Sequence, residues 1–118
     1  MDMMFNQDRQ LLAWLEEDIG SGDITTQAIV GKEQKTRAVI HAKSAGILAG
    51  VELAQRVFEL LDPEIVCEAK LADGALLTDT SVIAVVTGSA RAILTGERLA
   101  LNLLQHLSGI AARTAELA

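Results

Sequence analysis

Within the stretch GERLALNLLQHLSGIAART, residues 96–114, the polar residues Arg98, Asn102, Gln105 and Gly109 follow one another at intervals of four, three and four. A helix turns by about 100° per residue, so these positions share a narrow arc, with Arg91, Thr95 and Arg113 on or beside it. Leu99, Leu103, Leu104, Leu107 and Ile110 take the other side. The chemistry this arc permits is anion binding. Arg98 is the strongest single candidate, because Asn102, Gln105 and Gly109 offer hydrogen bonds and close approach but place no carboxylate on its face. The ordinary alternative is a surface arginine paired with Glu97 or with a neighbour one turn away. A guanidinium presented without a countercharge suits a carboxylate or phosphate, since its planar fork meets two oxygens at once.

Other reactive residue types lack company. His106 lies at the edge of the arc and His41 in a strand pattern; neither has an acid placed to make it a base, so both are expected to be packing residues. No HxH or HxxxH spacing joins them into a metal site. Cys67 is the single cysteine, which excludes an internal disulfide and reads as a packed thiol rather than a nucleophile. EDIGSGDITT, residues 17–26, has neither a GxxxxGK[ST] pattern nor a GxGxxG before a helix, so it is a turn with caps rather than a phosphate loop. DGALLTDTSVIAVVTG has the rhythm of half a biotinyl or lipoyl carrier hairpin, but Lys43 and Lys70 lack the flanking residues of an acceptor lysine.

These residues need elements to position them. NQDRQLLAWLEEDI spaces Leu11, Leu12, Leu15 and Ile19 as a helix, which the glycines of GSGD end. RAVIHA alternates as a strand, with Ala38, Ile40 and Ala42 on one side and Val39, His41 and Lys43 on the other. VELAQRVFELLDP is a second helix with Val51, Ala54, Val57, Phe58 and Leu61 together, stopping before Pro63. EIVCEAKL, ALL and SVIAVVTG are strand-like and punctuated by the Asp73-Gly74 turn. The last helix begins near Ser89 and runs toward the terminus. The order α, β, β, α, β, β, β, α predicts an α+β fold, a mostly antiparallel sheet with flanking helices and a long C-terminal helix.

The 118 residues are enough for one domain with its own core. Half are hydrophobic, drawn from Ala, Leu, Ile and Val, with only Trp14, Phe5 and Phe58 aromatic. A net charge of −6 argues against nucleic acid as a partner. No apolar run is long enough to cross a bilayer and no signal pattern opens the chain, so a cytoplasmic protein without a membrane partner is expected.

EDIGSGDITT, AKSAGILAGVELAQRVFELLDP and DGALLTDTSVIAVVTGSARAILTGERLALNLLQHLSGIAART, in this order and spacing, resemble the N-terminal domain of the quinolinate phosphoribosyltransferase family. The likeness runs from about Leu11 to the end and is most specific in ARAILTGERLALNLLQHLSGIA. It departs from the family at Thr80, where a glycine is usual, and at Ala112, where a threonine is. A related branch, encoded with molybdate transport genes, shares the pattern. The resemblance implies an α/β-hammerhead-like domain over residues 1–118, with the catalytic α/β barrel outside it. It implies a homodimer or higher homo-oligomer in which one subunit's N-terminal domain covers the other's barrel. The implied substrates are quinolinate and 5-phosphoribosyl-1-pyrophosphate. Arg98, matching the arginine of the family's ER-x-x-LN stretch, would bind quinolinate across the subunit boundary. Catalytic residues, and the magnesium that accompanies phosphoribosyl pyrophosphate, are assigned by the resemblance to the barrel; no catalytic, metal or cofactor residue is expected in residues 1–118.

Overall fold

The computed structural model describes residues 8–17 and 33–116. EDIGSGDITT, apart from its first residue, and the segment that follows it lie outside these bounds. Residues 8–17 are helical (α1). Then come β1 (Lys35–Ala42), β2 (Gly46–Ile47), α2 (Val51–Leu61), β3 (Val66–Ala69), β4 (Leu76–Leu77), β5 (Val82–Ser89), α3 (Ala90–Ser108) and β6 (Ala112–Glu116). Four strands form an antiparallel sheet in the order β3-β5-β1-β6, and β2 pairs with β4 in a separate short ladder. The fold is α+β, as the alternation of elements predicts.

The sheet has one apolar face because β1 alternates. Ala38, Ile40 and Ala42 are buried, and opposite them β5 supplies Ala84 and Val86 in register with Ile40 and Ala38. Helices α2 and α3 cover that face with Ala54, Phe58, Ile93, Ala100 and Leu104. Leu11 and Leu15 of α1 pack with Val57 of α2, flanked by Leu99 and Leu103 of α3. Where α2 and α3 cross, Gly96 removes a side chain: a Cβ there would lie 2.6 Å from Leu61 Cδ1 and 3.3 Å from the Phe58 ring. The glycine lets the helices close on each other.

The last helix is long, but it is not the last element. Gly109 adopts a left-handed conformation, φ 69°, and its N–H bonds to the Gln105 carbonyl, which ends α3. Ile110 then turns into the core, the Ala111 carbonyl accepts from the Lys43 N–H, and Ala112–Glu116 pair with β1. The alanine-rich AARTA favours helix on local propensity; pairing with an otherwise open sheet edge overrides it. Gly109 and Arg113 therefore leave the arc that the spacing gave them.

Candidate anion-binding face on the long helix

Strand β5 passes into α3 without a loop. Ser89 Oγ accepts from the Ala92 N–H at 3.2 Å, and the Ala90 N–H bonds to the Gln34 carbonyl at 2.9 Å, so the helix is fixed at its first turn. Its sheet side is set by Ala90, Ile93, Ala100 and Leu104, all buried. That choice leaves the arc of Arg91, Thr95, Arg98 and Asn102 turned away from the core. Arg98 and Asn102 are exposed, and Arg91 and Thr95 are partly so. Thr95 Oγ1 donates to the Arg91 carbonyl at 2.8 Å, within the helix. Leu94, on the same side of the helix as Arg98, is 42% exposed.

Gln105 does not belong to the exposed part of the arc. Its Nε2 donates to the Ala112 carbonyl at 3.3 Å, tying the end of α3 to β6. Thus Arg98 and Asn102 remain together and outward, Gln105 is structural, and Gly109 is the helix stop. The carboxylate that the sequence offers as a neighbour of Arg98 is Glu97. Glu97 is half-buried on the β6 side of the helix; desolvation pushes its carboxyl above the ordinary value, and Thr114 and the Arg98 guanidinium act in the opposite sense. The Thr114 hydroxyl is buried and makes no hydrogen bond of good geometry, so Glu97 and Thr114 are close neighbours rather than a bonded pair.

A cleft of about 690 Å³ lies elsewhere, lined by Asp8, Gly50, Glu52, Arg56, Asp73 and Leu107 among others. Leu107 is nine residues from Arg98, about half a turn round α3, so the cleft opens on the opposite face. It is acidic, and its arginine is engaged. Arg56 meets Asp8 with both prongs, Nε to Oδ1 at 2.9 Å and Nη2 to Oδ2 at 2.8 Å, and reaches Glu59 at 3.1 Å. The Arg56 hydrogen bond holds the Asp8 carboxyl below its usual range. Asp73 accepts from the N–H groups of Gly50 and Val51 at 3.2 and 3.1 Å, capping α2. A cleft so furnished does not suit a dicarboxylate.

The remaining candidates find ordinary surroundings. Burial pushes the Cys67 thiol up to about 11, so it stays protonated at neutral pH and is not an activated nucleophile. His41 Nε2 accepts from Arg113 Nε at 3.1 Å across the β1–β6 pairing. His106, expected to pack, is instead exposed in the last turn of α3. Lys70 is paired with Glu68 at 2.8 Å. Among the described residues, no group of three or more His, Cys, Asp or Glu could hold a metal ion, and no helix is long and apolar enough to cross a membrane.

Known proteins resemble the chain at the level of sequence and of fold. The family model for the quinolinate phosphoribosyl transferase N-terminal domain matches residues 23–108. A probable carboxylating nicotinate-nucleotide pyrophosphorylase of Bacillus subtilis is 49% identical over 100 residues, 85% of this chain and 34% of that protein. One from Synechocystis sp. is 43% identical over 107 residues, 91% of this chain and 36% of that protein. The crystal structure of NadC from Streptococcus pyogenes superposes with a TM-score of 0.84 at 43% identity, covering 89% of this chain and 38% of that one. The chain spans about a third of the length of these curated relatives. Its sequence and its fold agree: this chain belongs to the quinolinate phosphoribosyl transferase N-terminal domain family.

Proposed function

We propose that residues 1–118 form one domain of an enzyme that joins quinolinate to 5-phosphoribosyl-1-pyrophosphate, and that Arg98 binds quinolinate in the active site of a partner subunit. In that reaction the ring nitrogen displaces pyrophosphate at the ribose C1. The carboxylate beside the nitrogen leaves as carbon dioxide, and its electron pair takes up a proton at the ring carbon. The product is nicotinate mononucleotide, on the route to NAD. The observation that carries the reading is Arg98 itself, exposed on an outward arc of a helix fixed at both ends, in a chain of this family. Its fork matches a carboxylate, and closing a second subunit over the arc would exclude water and strengthen the contact.

Magnesium is assigned to the larger part of the enzyme, outside residues 1–118. The ion that accompanies phosphoribosyl pyrophosphate would be held by the rest of the enzyme. A homodimer or larger homo-oligomer follows from the reading, because Arg98 points away from its own domain's core. The cytoplasm is the compartment in which such an enzyme would meet its substrates.

A chimera tests the proposal: this chain replaces the matching 38% of Streptococcus pyogenes NadC. The chimera is expected to turn over quinolinate, and Arg98→Ala is expected to raise the KM for quinolinate while leaving that for phosphoribosyl pyrophosphate little changed. An active chimera whose quinolinate KM ignores Arg98→Ala would overturn the assignment.

A further inference from the structure

The polar anomalies of the sheet–helix seam coincide. Thr114 Oγ1 is the one buried side-chain oxygen or nitrogen among the described residues that lacks a hydrogen bond. Beside it lies Glu97, a carboxyl that burial alone would drive toward its neutral form and that Arg98 and Thr114 draw back. Burying a carboxyl is costly, and the further a glutamate is withdrawn from water the more it needs a compensating interaction. Packing gives no reason for it: its neighbours along the sheet side of α3 are Ile93, Ala100 and Leu104, all well buried among apolar groups.

We propose that Glu97 is a positioning residue for Arg98, with the buried Thr114 hydroxyl as its polar neighbour on β6. The proposal rests on the reading of Arg98 as a quinolinate ligand. Residues 97 and 98 leave the helix about 100° apart, Glu97 toward β6 and Arg98 beyond it. A carboxylate fixed on the β6 side attracts the guanidinium to that side of the arc, against the alternative directions toward Arg91 and Asn102. Arginine has a long and freely rotating stem, so restricting its direction before binding removes part of the ordering cost. The Gln105–Ala112 bond, two turns further on, keeps β6 against the helix and so keeps Thr114 beside Glu97. The charged group that faces Glu97 is Arg98 on its own helix. Arg113 of β6 is exposed and bonded to His41, its side chain alternating with the buried Thr114 along the strand. Ionised Glu97 is the form that orients the arginine, and the nearby Thr114 hydroxyl favours that form.

Two measurements test this together. On the chain alone, carboxyl and guanidinium NMR should show the Arg98 Nε resonance moving with the Glu97 titration. That response should vanish in Glu97→Gln, and in Thr114→Val the titration should move to higher pH. In the chimera, Glu97→Gln should raise the KM for quinolinate by about two- to tenfold with kcat nearly unchanged, the fold range expected for ordering one long side chain. Its quinolinate KM should lose the rise that the native chimera shows as pH falls through the Glu97 titration, and Thr114→Ser should retain native behaviour. An Arg98 resonance indifferent to Glu97 overturns the proposal. So does an unchanged KM in Glu97→Gln where Arg98→Ala impairs binding. If Arg98→Ala also leaves binding intact, the failure lies in the reading of Arg98 as a ligand.

Discussion

At the scale of single residues, Arg98 and Glu97 show opposite relations between position and charge. Arg98 is exposed, and its proposed role depends on a second subunit closing over it; Glu97 is half-buried within its own domain. Arg98→Lys in the chimera keeps the charge but replaces a planar two-pronged donor with a single ammonium, so quinolinate affinity should fall despite the conservative exchange. Arg98→Ala should be worse, because removing one member of a desolvated charged pair costs about 2–5 kcal/mol, or roughly 30-fold to several thousandfold in KM. Steady-state titration of each substrate checks both. Glu97 makes a separate prediction for the chain alone. Its carboxyl binds a proton more tightly folded than unfolded, so its contribution to stability is fully present below the ordinary glutamate value and is lost as pH rises through the raised one. Urea titrations should therefore show Glu97→Gln gaining on the native chain as pH increases from about 4 to 7. A constant difference would mean that Glu97 titrates normally. Part of this was legible in the sequence: spacing made Arg98 a candidate without separating it from an ordinary surface arginine, and the family resemblance supplied the role proposed for it. The nearness of Glu97 and Thr114 was not, because it depends on a strand that local propensity does not announce.

At the scale of elements, two features hold α3 and α2 in place, and each was half visible. The Asp73-Gly74 dipeptide reads as a turn, which it is. Its second role, in which the Asp73 carboxylate caps α2 at the Gly50 and Val51 N–H groups, joins residues more than twenty apart and needs the folded loop to appear. Asp73→Ala should cost about 0.5–2 kcal/mol by loss of a cap, read as a lower urea midpoint with an unchanged slope. Gly96 falls inside the last helix that the sequence predicts, and the structure shows it at the crossing with Leu61 and Phe58. Gly96→Ala gains roughly 0.8–1 kcal/mol in helix propensity, against about 1–3 kcal/mol for overfilling a packed contact. Because the nearest atom is the end of a flexible leucine, the net effect for alanine should be small, and Gly96→Val, with two more methyls, should be clearly less stable. A valine variant as stable as the glycine chain would show that the helices can separate without penalty. Strand β6 is the element the sequence hid. Its AARTA composition suits a helix, and only the free edge of β1 makes it a strand.

At the scale of the whole molecule, the described residues form a packed core, and the proposed site is shared with a second subunit. Both helices that cover the sheet are anchored, yet the arc bearing Arg98 and Asn102 is exposed. Purified chain is therefore expected to release no nicotinate mononucleotide from quinolinate and phosphoribosyl pyrophosphate; product chromatography checks this, and a nicotinate mononucleotide peak would refute it. The arrangement also predicts how activity distributes over an oligomer. If Arg98 serves a neighbouring subunit, a chimera subunit carrying Arg98→Ala still has a sound site in its larger part, and lacks only the arm that another subunit must bring. A second variant, inactivated in the part contributed by Streptococcus pyogenes NadC, has the arm but no working site. At quinolinate near the native KM, neither homodimer turns over appreciably. In a hybrid, the arm of the second meets the site of the first, giving one sound site of two. Equal amounts reassorting at random make half of the dimers hybrid, so the mixture should recover about a quarter of native activity, as a closed two-fold dimer requires. Subunit exchange verified by mass, with activity still absent, would place Arg98 in the site of its own subunit. Recovery near a quarter would fix it in the other one.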